Sequence, residues 1–128
     1  MKILTLDAGR QTGYAAFDDD ALIDSGAVRE DEIPFLARGK RELFRPDLVV
    51  MELTKPHYGK LGDELQRIQR AWAHQFPHLL TIQPYEWKPS HAKAKLPKHC
   101  STTHERDAIR MNLWVQQHLD RFPHLPEG

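Results

Sequence analysis

The chain has 128 residues, with 18 Lys and Arg against 18 Asp and Glu, enough for one compact domain with a modest core and no net charge. No apolar run approaches the roughly 20 residues a bilayer span needs, and the single Cys100 excludes an internal disulfide. The opening run meets Asp7 too early for a secretory leader, so a single domain over residues 1–128, in a cytoplasmic setting and without a membrane partner, is expected.

Ile3, Leu4 and Leu6 form a short apolar run that ends at Asp7, and Gly9 and Gly13 bracket a polar turn before a second apolar stretch at 14–17. Asp18, Asp19 and Asp20 read as a solvated hairpin tip, after which residues 21–28 return as a third strand, giving an antiparallel meander. A helix over 31–44 follows through Ile33, Leu36, Ala37 and Phe44, with acids in its first turn and bases in its last. Pro46 stops it, and residues 47–52 are nearly continuously apolar, as a strand buried on both faces would be. A second helix is expected over 60–76, where Leu61, Leu65, Ile68 and Trp72 could serve either the core or a partner subunit. A short strand at 78–83, a loop-rich basic segment at 84–100 and a last helix over 103–119 complete the order. The fold class is α/β, a five-stranded mixed sheet of three antiparallel strands and then parallel additions, flanked by helices.

Both central strands, 2–7 and 47–52, finish on a carboxylate. If they are parallel neighbours about 5 Å apart, Asp7 and Glu52 meet at the sheet edge where ligands gather. Two close carboxylates repel, so one takes a proton unless a cation sits between them. In the last helix the apolar stripe Ala108, Met111, Trp114, Val115, Leu119 extends backward to Asp107 and His104, an i, i+3 pair able to grip a metal. Glu105 lies off that stripe and with Thr102 matches a capping box, a role in helix initiation. Each acid taken singly could instead cap a strand or complement a helix end, and His104 could be a satisfied, partly buried histidine. Together the four suit phosphodiester cleavage, in which two divalent ions about 4 Å apart activate water and neutralise the leaving oxygen.

The stretches Ile3-Leu4-Thr5-Leu6-Asp7-Ala8-Gly9, Thr12-Gly13-Tyr14, Val49-Val50-Met51-Glu52 and His104-Glu105-Arg106-Asp107-Ala108, with Pro84 to Lys88 between them, resemble the RuvC family of Holliday junction resolvases. The resemblance implies an RNase H-like fold. It makes Asp7, Glu52 and Asp107 catalytic, metal-binding acids and His104 a fourth ligand or an aid to water activation. It further implies a pair of Mg²⁺ or Mn²⁺ ions, branched DNA as substrate and a homodimer that cuts two strands symmetrically. The chain is shorter than typical members, and the helix they carry before the last one is expected to be reduced to the Lys- and Pro-rich loop at 88–100.

Lys55, Tyr58 and Lys60 follow Glu52 directly, so the lysines could hold phosphates and Tyr58 could stack on an unpaired base. Lys88, Lys93, Lys95 and Lys98 could extend a phosphate track or merely keep a loop soluble. His99, Cys100 and His104 lack the paired spacing of a zinc site. Two rival classes remain: a nucleotide-binding relative of the actin and sugar-kinase group, which needs two such domains, and a non-catalytic junction-binding module or YqgF-like regulator on the same fold.

Overall fold

A computed structural model describes residues 1–52, 59–91, 96 and 102–122, with Lys60 and Leu61 by backbone alone. Strands β1 (Lys2–Asp7), β2 (Gln11–Asp18) and β3 (Ala21–Arg29) form the expected antiparallel meander. Its β2–β3 turn places Asp19 in the left-handed region at φ 53. Strand β4 (Leu48–Glu52) then pairs parallel to β1, and β5 (Leu80–Ile82) parallel to β4, so the sheet order is β3-β2-β1-β4-β5.

Residues of β1 and β4 alternate between two apolar layers. Leu4, Leu6, Val49 and Met51 pack against α1 (Ile33–Gly39) and α2 (Gly59–Gln75) through Ile33, Ala37, Ile68 and Trp72. Ile3, Leu48 and Val50 face α3 (Pro84–His91) and α4 (Thr103–Gln117) through Trp87, Met111, Trp114 and Val115. With helices on both sides, the central strands are apolar at nearly every position, as the sequence anticipated. The period-two alternation also settles which layer the strand-end carboxylates face, because Asp7 and Glu52 share the parity of Thr5 and Val50 and so turn toward α3 and α4.

Three expectations change. The helix at 31–44 is three pieces: a 3₁₀ turn (Glu30–Glu32), α1, and a π-helical turn (Lys40–Phe44) that buries Phe44 and ends on Arg45 at φ 54. The stretch 84–100 is not all loop, since Pro84–His91 is helical. Pro84 sits where a missing N–H costs nothing, the Glu86 carboxylate accepts the Gln83 N–H at 2.6 Å, and Trp87 anchors the turn in the core. Finally, Leu65, Ile68 and Trp72 are buried within the chain, Trp72 donating its indole N–H to Thr12 Oγ1 at 3.3 Å, so that face of α2 is core and not a partner surface.

Candidate active site

Asp7 and Glu52 are direct neighbours in the parallel β1–β4 register, both almost fully buried at 5% and 2% exposure. Burial pushes the Asp7 carboxyl up to about 6 and that of Glu52 up to about 8. Asp7 raises Glu52 further, the charge of Asp107 raises both, and Lys88 offsets part of the effect. The pair therefore retains a proton, held mainly on Glu52, at pH values where ordinary carboxyls are ionised. Glu52 Oε2 is buried with no hydrogen-bond partner among the described residues, while Oε1 lies 3.7 Å from Lys88 Nζ.

His104 reaches this pair from the first turn of α4, its Nδ1 lying 2.9 Å from Asp7 Oδ2. Two glycines permit the approach. A methyl group at Gly13 would overlap the His104 carbonyl and the Glu105 nitrogen, and one at Gly9 would come within 2.9 Å of His104 Cε1. The hydroxyl of Thr102 accepts the Glu105 N–H at 3.1 Å, starting the helix at the residue the sequence indicated. Asp107 follows one turn later with its side chain 18% exposed and Oδ1 4.0 Å from Arg110 Nη1. Among the described residues no three His, Cys, Asp or Glu side chains converge on one cation-sized position. Asp7, Glu52 and His104 thus stand together, and Asp107 is near enough for its charge to be felt but turned toward Arg110.

Of the expected DNA contacts, Lys88 projects from α3 and is 46% exposed, beside Glu52 instead of on a distant track. Lys55, Tyr58, Lys93, Lys95 and Lys98, with His99 and Cys100, lie outside the described residues, as does the side chain of Lys60. Two residues went unrecognised in the sequence. Glu105 does more than start the helix, the role the sequence assigned it: it is buried and accepts the Ser25 hydroxyl at 2.7 Å, tying α4 to β3. Tyr85, 75% exposed, stands one turn before Lys88 on α3 and offers an aromatic face on the same side of that helix; recognising it required seeing a helix through Pro84 and Pro89.

A buried pair of raised carboxyls, an oxygen with no donor among the described residues, and an adjacent imidazole are ligand types that a divalent cation takes, but in this arrangement they do not converge on one cation position. No protein-family model matches the sequence, and no curated protein does. Among solved structures, T. thermophilus RuvC in complex with a Holliday junction substrate matches with a TM-score of 0.81 and 14% identity, over 95% of this chain and 96% of that one. The fold is RuvC-like. A Thermus thermophilus RuvC structure agrees as well, with a TM-score of 0.76 and 14% identity over 94% of this chain and 96% of the other. The RuvC-like match runs nearly end to end, and α3 supplies helical structure where the sequence suggested a loop.

Proposed function

We propose that this chain is a metal-dependent endonuclease that cleaves the phosphodiester backbone of branched DNA, with the Holliday junction as its substrate. The observation that carries the reading is the in-register, buried Asp7–Glu52 pair with an unpartnered oxygen, since an apolar fold gains nothing from such a pair unless something binds it. The T. thermophilus RuvC bound to a Holliday junction, matched over almost all of both chains, supports the choice of substrate.

In this reading Asp7, Glu52 and Asp107 would hold two divalent cations, with His104 either completing the ligand set or aiding water activation. When bound, the ions supply charge neutralisation at the phosphate and lower the pKa of the attacking water. The protein's own groups do the rest. With its proton on Nδ1, His104 donates to Asp7 Oδ2, which leaves its Nε2 lone pair for one of its two tasks. Lys88 places an ammonium at the rim, where it can hold a phosphate oxygen, and Tyr85 presents a face for an unstacked base. Lys55, Tyr58, Lys60, Lys93, Lys95 and Lys98 are proposed to extend this track, and two symmetric cuts call for two copies of the chain.

A second reading, a non-catalytic junction-binding or YqgF-like regulatory module, is favoured by one observation: Asp107 faces Arg110 and completes no cluster with Asp7 and Glu52. One experiment separates the two. Synthetic four-way junctions, forks, flaps and linear duplexes are incubated with Mg²⁺, Mn²⁺ or EDTA. The nuclease reading expects metal-dependent nicking of the junction, reduced by roughly 10³-fold or more in Asp7→Asn while junction binding persists. Binding without cleavage in either metal would establish the regulatory module, and cleavage of linear duplex alone would establish a general nuclease.

A further inference from the structure

Each carboxylate at the Asp7–Glu52 edge meets a base of its own chain. His104 Nδ1 lies 2.9 Å from Asp7 Oδ2, Arg110 Nη1 lies 4.0 Å from Asp107 Oδ1, and Lys88 Nζ lies 3.7 Å from Glu52 Oε1. The third contact is the most unequal. The Glu52 side chain is 2% exposed and fixed by its place in the β1–β4 register, whereas that of Lys88 is 46% exposed at the end of a flexible stem on α3. One partner is held and the other is free to leave. The charge of Lys88 offsets part of the upward shift at Asp7 as well as at Glu52, so its field covers the pair.

A divalent cation seated on Glu52 would stand close to this ammonium, and like charges that near one another repel strongly at a partly buried site. Lys88 and such a cation therefore compete for one carboxylate. A phosphate of the DNA backbone is the other anion that an ammonium at this rim can hold. Passing from one anion to the other carries little penalty, because a contact made by a half-exposed lysine contributes little on its own. We propose that Lys88 gates the site: in the free protein it is the counter-ion of Glu52, and it yields that carboxylate to a divalent cation when a DNA phosphate takes the ammonium. The inference rests on the nuclease reading of this edge and adds an order to it, backbone first and metal second. Junction and metal are then coupled, each tightening the binding of the other by the same factor.

The test is Mn²⁺ binding to the full chain without DNA, followed by the electron paramagnetic resonance of the unbound ion. Lys88→Gln removes the competitor and should tighten binding by roughly tenfold or more. Lys88→Arg keeps the charge and should stay near the wild-type value, which loss of packing at position 88 would not give. Arg10→Gln takes a charge from the loop after Asp7, where Arg10 faces Glu64, and leaves the three acid–base contacts in place; it should change binding by less than about twofold. The second arm is the dissociation constant of a four-way junction by fluorescence anisotropy, in Ca²⁺ against Na⁺ at equal ionic strength. The wild type should gain several-fold in affinity from Ca²⁺, and Lys88→Gln should gain less. Unchanged Mn²⁺ binding in Lys88→Gln, an equal tightening in Arg10→Gln, or an undiminished gain from Ca²⁺ would overturn the gate and leave the nuclease reading standing. Mn²⁺ held by none of these chains would overturn both.

Discussion

Two buried polar centres sit on the same face of β1, two residues apart, and they differ in kind. Around Thr5 every group is provided for. Its hydroxyl donates to the Ala108 carbonyl at 2.6 Å, and the fully buried Asn112 donates to the Ile3 carbonyl at 3.0 Å and lies 3.2 Å from both Thr5 Oγ1 and the Ala15 carbonyl. The Asn112 oxygen accepts from Gln116 at 2.9 Å. One step along the same face, Asp7 and Glu52 share a proton between two carboxyls, and Glu52 Oε2 has no donor among the described residues. The first centre locks α4 to the sheet; the second leaves binding capacity unspent at the edge that this lock positions. Satisfied polar burial serves architecture, and unsatisfied polar burial signals a ligand.

The sharpest way to break the contrast is to remove the lock. Asn112→Ala strips two backbone carbonyls and a hydroxyl of a donor inside the core and leaves a small cavity. It should cost about 2–4 kcal/mol in urea unfolding, with little dependence on pH between 5 and 8. A loss below about 0.5 kcal/mol would mean that α4 is held by its apolar stripe alone.

The unsatisfied centre predicts the opposite sign. A carboxyl whose folded-state pKa lies above its unfolded value binds more protons in the native state. The stability it contributes is fully present below the unfolded value and is lost as pH rises through the folded one. For Asp7 and Glu52, raised from 3.8 and 4.5 to about 6 and about 8, the EDTA-treated protein should lose stability between pH 4 and 8. Glu52→Gln removes the charge but keeps the shape, and should stabilise the metal-free protein at pH 8 by about 1–3 kcal/mol and by much less at pH 5. Mg²⁺ should raise the wild-type melting temperature at pH 8 more than that of the variant. A Glu52→Gln chain less stable than wild type at pH 8 would show that the pair is not repulsive.

Much of this contrast was legible in the sequence, and the limits are physical. Alternation along 2–7 and 47–52, each ending on an acid, fixes both the central strands and their meeting edge, because strand period and parallel pairing are local rules. The inward stripe of α4 likewise brings His104 to Asp7. What could not be read depends on how elements lie across one another. Thr5 and Asn112 look unremarkable until α4 crosses β1 and β2, and Glu105 reads as a cap until β3 presents Ser25. The helix at 84–91 is obscured by two prolines whose cost is offset by a buried tryptophan seen only in three dimensions. Whether Leu65, Ile68 and Trp72 faced inward or toward another chain was equally a matter of packing, and the core took them.

Glu105 lies between the two extremes, a buried carboxylate next to the reactive edge that is nonetheless provided for. It accepts from Ser25, its backbone N–H is capped by Thr102, and it adjoins His104 in the turn that Gly13 lets settle on the sheet. If it belongs with the structural lock, Ser25→Ala should cost only about 1 kcal/mol, the net worth of one hydrogen bond, and the Asp7-dependent pH profile of stability should keep its shape. If it belongs with the ligand-seeking centre, the same change should shift that profile, because a Glu105 carboxylate held less firmly to β3 would alter the field at Asp7 and Glu52. Its fixed bond to β3 argues for the first, and urea unfolding of the variant at pH 5 and pH 8 distinguishes them.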